Sequence, residues 1–114
     1  MAAGKYNIVI EQGSTFNMNF TIKTGSTPWD LTSYTARMQI RSSVGADTSV
    51  LSLTNGNGIT LGDALGTVAV SISAAATAAI VAGRYVYDLE IQSAGGEVWR
   101  VIEGKATVRA EVTR

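Results

Sequence analysis

Asp88 and Glu90 stand two residues apart in RYVYDLEIQ, a spacing that puts both carboxylates on one face if the segment is extended. Two carboxyl groups flanking a bond are what glycoside hydrolysis requires. A solvated outer strand face accounts for the same alternation without any chemistry. Asp30, Asp47 and Asp63 fall in or near turn-like segments, but none opens the Asp-rich spacing, with its Gly and terminal Glu, that gathers oxygen ligands around calcium. Capping of local backbone donors explains them. The chain has no histidine and no cysteine. The usual general base near neutral pH, the thiolate nucleophile, the Ser-His-Asp arrangement and the preferred zinc ligands are therefore all missing. Gly95-Gly96 and the glycines at 56 and 58 lack the strand-then-helix setting of a phosphate cradle and read as hairpin turns. The expectation is a chain that is not an enzyme and holds no cofactor or metal.

Charge points away from several partners. Nine Lys plus Arg balance nine Asp plus Glu, scattered singly along 114 residues, so neither nucleic acid nor an anionic membrane surface is an expected partner. Arg37 and Arg41 share one face of a strand with Trp29 nearby, yet no further basic excess supports them as a nucleic-acid site. Cross-strand pairing with a carboxylate is the plainer role. A neutral surface favours association. The start MAAGKYN has no hydrophobic signal core and no run of eighteen apolar residues occurs, so neither a secretory signal nor a membrane span is expected. The length suits one domain, 1–114, with one core and no need of disulfides.

The elements that would position these residues are mostly strands. Tyr6 to Glu11 is rich in Ile and Val, and Thr15 to Lys23 alternates Phe16, Met18, Phe20 and Ile22 against Asn17, Asn19 and Thr21. Gly25 to Pro28 breaks that pattern, placing the single proline in a loop. In Asp30 to Arg41 a DLT lead-in runs into a strand with Tyr34, Ala36, Met38 and Ile40 on the core face and Thr35, Arg37, Gln39 and Arg41 outward. Ser42 to Ser49 is a loop. Val50 to Thr54 and Ile59 to Leu61 flank two Asn-Gly pairs and predict a hairpin. Gly66 to Ser71 continues the alternation through Val68, Val70 and Ile72. Ser73 to Gly83 is the exception: alanines behind a Ser73 N-cap predict a short helix, Ala74 to Ala82, packed through Ile80 and Val81 and ended by Gly83. Arg84 to Gln92 and Glu97 to Ile102 form a hairpin, Gly104 interrupts, and Lys105 to Thr113 is a last strand. Seven to eight strands joined by Gly and Asn turns predict an all-β, immunoglobulin-like antiparallel β-sandwich. A small barrel is the alternative.

Two tryptophans remain open. Trp99 lies opposite in phase to Val98 and Arg100, so either it or they face solvent, and an outward Trp is an interface anchor. Trp29, Arg37, Arg41 and Trp99 are the candidate interface residues.

The ordered segments IEQGSTF, PWDLTSYTARMQIR, LTNGNGITL, SAAATAAI, GRYVYDLEI and VIEGKATVRAEVTR resemble the small virion proteins of tailed bacteriophages. They are similar in particular to the immunoglobulin-like N-terminal domain of phage baseplate upper proteins. The resemblance spans nearly the whole sequence and implies a non-catalytic structural role in the virion, assembled in the bacterial cytoplasm. It implies contacts with tail, fibre or capsid proteins in an oligomeric particle, and no small-molecule substrate. Joining tail or baseplate parts to fibres is the expected task; decorating or cementing the head is one alternative, and recognising host carbohydrate through Trp99 or Tyr85 is another. A baseplate upper protein continues into a long fibre-forming region, whereas this sequence stops at Arg114, so the resemblance transfers no receptor-binding residue.

Overall fold

The computed structural model describes residues 4–113; the remaining residues of the expected 1–114 domain lie outside this span. Eleven strands follow one another as β1 (Gly4–Lys5), β2 (Ile8–Glu11), β3 (Phe16–Thr21), β4 (Lys23–Thr24), β5 (Thr27–Pro28), β6 (Thr35–Arg41), β7 (Leu51–Asn55), β8 (Gly58–Leu61), β9 (Thr67–Ile72), β10 (Gly83–Gln92) and β11 (Val98–Arg109). A short helix, α1 (Ala74–Ala78), sits between β9 and β10. The main sheet runs β1-β11-β10-β6-β7-β8-β9-β3, with β2 also on β11, and β4 and β5 form a separate ribbon. The sheet curls on itself, and its two halves share one cluster of buried side chains, giving an all-β sandwich.

Strict alternation explains why the halves meet as they do. Ala36, Met38 and Ile40 of β6 are buried, and so are Tyr87, Leu89 and Ile91 of β10, opposite them in register. Val68, Val70 and Ile72 of β9, with Ile59 of β8 and Met18 of β3, close the core from the second half. Each such side chain contributes about 1.5–3 kcal/mol through removal from water. Tyr34 is only half-buried, just before β6 begins.

The sheet is mixed, not antiparallel throughout. β1 and β2 both run parallel to β11, so the first segment of the chain lies beside the last. Asn55-Gly56 does make a tight turn, with Thr54 and Asn57 exchanging backbone hydrogen bonds of 3.1 and 2.8 Å. The expected hairpin does not follow: β8 meets β7 only through the parallel pairs Thr54↔Gly58 and Asn55↔Ile59, then pairs antiparallel with β9. Here the sheet passes from one half to the other. Pro28 lies in β5 and not in a loop, which is tolerated because an exposed two-stranded ribbon leaves its missing donor without consequence.

Two predicted interruptions are also resolved differently. Glu97–Ile102 and Lys105–Thr113 are one strand, β11, which ends at Arg109; Ala110 and Val112 are exposed. Gly104 does not break it. A Cβ there would collide with the Tyr6 carbonyl, so glycine lets the β1–β2 junction cross closely, held by Tyr6 N–H to Glu103 O at 2.9 Å and Lys105 N–H to Asn7 Oδ1 at 3.0 Å. The helix is shorter than Ala74–Ala82. Ser73 Oγ accepts from Ala76 N–H at 3.2 Å as the expected N-cap, but the C-cap is Ala79, and Gly83 already belongs to β10. Ile80 and Val81 thus lie beyond the helix, the first buried and the second exposed, and the helix itself turns only one narrow side to the sheet. That side is anchored by Thr77.

The hydroxyl of Tyr87 donates to the Tyr6 carbonyl at 2.5 Å, tying β10 to the β1–β2 junction. Burial, with a smaller contribution from Tyr6, pushes its pKa from 10.0 up to about 12. Between those values the unfolded chain has released this proton and the folded chain retains it, so stability falls as pH rises through the window. Tyr87→Phe should cost about 1 kcal/mol at neutral pH and flatten that alkaline decline, measured by urea denaturation across pH 9 to 12 as a series against the parent protein.

Candidate functional site

The four candidate residues separate into two groups. Arg37 and Arg41 stand on the outer face of β6, as alternation requires, while Trp29 and Trp99 meet on the inner side at one end of the sandwich. β6 pairs with β10, which pairs with β11, so the outer face of three adjacent strands carries a row of charges. Glu90 is opposite Arg37 on one side and Arg100 on the other. Arg37 Nε reaches Glu90 Oε1 at 2.8 Å; Arg100 reaches Asp88 Oδ2 and Glu103 Oε1, each at 3.2 Å; Lys5 Nζ lies 3.6 Å from Glu103 Oε2. Arg41 donates to Ala46 O at 2.9 Å and to Gln39 Oε1 at 2.8 Å, pinning the loop after β6.

This face is a shallow concavity of about 540 Å³, lined among others by Arg41, Val44, Val86, Asp88, Arg100 and Lys105. Asp88 is pushed above the ordinary carboxylate range, first by burial and then by Glu90 and Glu103, against the opposing pull of Arg100 and Arg41. Asp88 and Glu90 do share this face, but each is engaged by an arginine of a neighbouring strand. Exposed pairs of this kind contribute about 0–1 kcal/mol each, so the row organises a surface more than it stabilises a fold.

The aromatic end is built by a β-bulge. Leu89 faces Ile102 and Glu90 faces Arg100, leaving Val101 as the extra residue of β11. One added residue exchanges the two faces of a strand. Ala106 and Val108 point inward beyond the bulge, Trp99 points inward before it although its parity differs from theirs, and Val101 is buried at the bulge itself. Hence Val98 and Arg100 are the exposed neighbours, and Trp99 is half-buried. Its ring meets Trp29 edge-to-face at 5.6 Å and stacks on Tyr34 at 6.1 Å. Trp29 Nε1–H donates to Thr24 Oγ1 at 2.6 Å, so its polar edge is already occupied. Tyr34, which alternation places on the core face, belongs instead to this end cluster, half-buried against Trp99.

Asp30 acts as expected of a turn residue. Its Oδ1 accepts from Thr32 N–H at 3.0 Å and from Thr32 Oγ1–H at 2.6 Å, and these bonds hold its carboxyl below the ordinary value. Among the described residues no three of His, Cys, Asp and Glu are grouped to hold a metal ion, and no helix is long and apolar enough to cross a membrane.

Comparison with protein-family models and with curated proteins finds no match to this chain.

The outer face that Asp88 and Glu90 share is legible in the sequence, whereas the participation of Arg100 and Glu103 in it is not. Their alternation was visible; the bulge that brings Arg100 and Glu103 onto one face was not, since it depends on pairing with β10. Thr24 as the partner of Trp29 had no sequence signal, because the contact exists only once β4 and β5 fold back on each other.

Proposed function

We propose that this chain is a non-catalytic structural component of a tailed-phage virion, joining tail or baseplate parts to fibres through protein–protein contacts. The observation that carries this reading is the outer face of β6, β10 and β11, where Arg37, Arg41, Arg100, Asp88, Glu90 and Glu103 form a mixed-sign surface on a rigid sheet. Charges of both signs in fixed register favour one docking orientation over others. The absence of histidine and cysteine from the sequence favours binding over chemistry, and the resemblance to baseplate upper proteins supplies the setting. The candidate interface is centred on Arg37 and Arg41. Trp29 and Trp99 support it from beneath by stiffening the end of the sandwich.

Detection in purified particles tests the setting, and failure to find the chain there would sink the proposal. Copy number separates the two virion roles: a few copies fit an adaptor, hundreds fit a head decoration protein. For the surface itself, changing Arg37→Ala and Arg41→Ala together should lower incorporation about tenfold or more while costing about 1 kcal/mol or less of stability. Normal incorporation with a large loss of stability would show that the face serves the fold alone.

A further inference from the structure

The strand β3 reads FNMNF from Phe16 to Phe20, a palindrome about Met18. It is the last strand of the main sheet and pairs only with β9. Among the described residues, no backbone group of Phe16–Thr21 bonds to anything but β9. In an antiparallel pair every second residue turns its N–H and C=O away from the partner, so this edge presents a row of open donors and acceptors.

Edges are normally blunted by lysine, proline, a bulge or inward charge. The opposite edge of the sheet is: β1 and β2 are separated by a break at Tyr6-Asn7 and carry Lys5 and Glu11. β3 has none of these devices; it is continuous and uncharged. Phe16 and Phe20 are half-buried, and with Met18 they line one wall of a groove of about 710 Å³ whose other wall is formed by Tyr6, Ile8 and Ile102, with Asn7, Asn17 and Asn19 also contributing to its lining. A strand added at this edge would cover both.

We infer that the partner at this edge is a second copy of the chain, bound by antiparallel β3–β3 pairing about a two-fold axis at Met18. Residues directly opposite in such a pair point to the same face. With the axis at Met18, Phe16 of one copy meets Phe20 of the other on the groove side, Met18 meets Met18, and Asn17 meets Asn19 on the outer side. A palindrome makes every one of these pairs like with like or amide with amide. The zero formal net charge leaves no overall repulsion between copies. An isologous contact of this kind closes at two copies. The inference is independent of the virion reading, since it rests on the edge alone.

The register can be tested with charges on the exposed outer face. Asn17 and Asn19 are opposite Ser71 and Ala69 of β9, so charges there meet none within the same chain on that strand. Sedimentation across a concentration series should show the parent protein as a monomer–dimer equilibrium. The variant with Asn17→Lys and Asn19→Lys places lysine against lysine twice and should dimerise about tenfold more weakly. The variant with Asn17→Lys and Asn19→Glu places opposite charges together at both positions and should dimerise as well as the parent. Circular dichroism and melting confirm that both remain folded. A parent protein that stays monomeric at its highest soluble concentration overturns the inference, as does a Lys/Glu variant as weak as the Lys/Lys one, which would mean a different register. Species that grow without closing at two would mean that β3 joins the β1–β2 edge instead, and would overturn it as well.

Discussion

Gly66→Ala should destabilise the protein by about 2–4 kcal/mol, lowering its melting temperature by roughly 15 °C. Gly66 follows the 3₁₀ turn Asp63–Leu65 and has φ +68°, a left-handed backbone that costs any residue with a Cβ about 1–2 kcal/mol. Space is the second obstacle. An ideal Cβ would stand 2.8 Å from Ile22 O, 2.9 Å from Trp29 O and 3.0 Å from Trp29 N, all backbone atoms that cannot rotate aside. The same point is a junction of hydrogen bonds: Ile22 N–H donates to Gly66 O at 2.8 Å, Trp29 N–H to Ile22 O at 2.9 Å and Leu31 N–H to Asp63 O at 2.8 Å. Pushing these apart moves Trp29 away from Trp99. Tryptophan fluorescence should therefore shift together with the melting temperature. Gly45→Ala is the matched control, because nothing lies near its Cβ position and its stability should stay within about 0.5 kcal/mol.

Thr77→Val should cost about 2–3 kcal/mol, although it keeps the volume and branching of the side chain. Thr77 is fully buried on α1. Its Oγ1 accepts from Gly13 N–H at 3.1 Å and lies 2.8 Å from Ser14 O and 3.0 Å from Ala74 O, with one proton to donate between them. The helix is thus fastened to the turn between β2 and β3, assisted by Gln12 Nε2–H donating to Ile80 O at 2.8 Å. Valine would leave the half-buried Gly13 donor and the Ser14 acceptor without this partner. Thr77→Ser keeps the hydroxyl and should lose only about 1 kcal/mol, from the missing methyl. Urea denaturation of the three proteins decides it: equal losses for Val and Ser would mean that packing, and not the hydroxyl, holds the helix.

Period-two alternation was the most legible feature, and its success has a simple cause. Within one strand the direction of a side chain depends only on its neighbours along the chain. So Ala36, Met38 and Ile40 went inward and Arg37 and Gln39 outward, as the pattern of Asp30 to Arg41 required. The same rule cannot be carried past Val101 from the sequence, because a bulge exchanges faces without changing the pattern of residue types. Gly104 looked like an interruption since a glycine in a strand weakens it locally; its reason is the Tyr6 backbone, almost a hundred residues away in sequence. Asn55-Gly56 turned as its local preferences dictate, yet where the chain went afterwards was set by β9.

The candidate site divides along the same line. That Arg37 and Arg41 face outward could be read from the strand; that Arg37 pairs with Glu90, while Arg41 holds Ala46, depended on which strands became neighbours. Trp99 left two alternatives open, and only the bulge at Val101, seen against β10, turned its ring toward Trp29 and Tyr34. From sequence alone came the strand-rich class, the two faces of most strands, the Ser73 cap and a composition without histidine or cysteine. The fold alone decided that the first segment runs parallel to the last, that the sheet curls between β7 and β8, and that β3 is left as an open edge. The first set depends on residue chemistry and near neighbours. The second depends on closing long loops in one register rather than another, a choice made by the summed burial of the whole core.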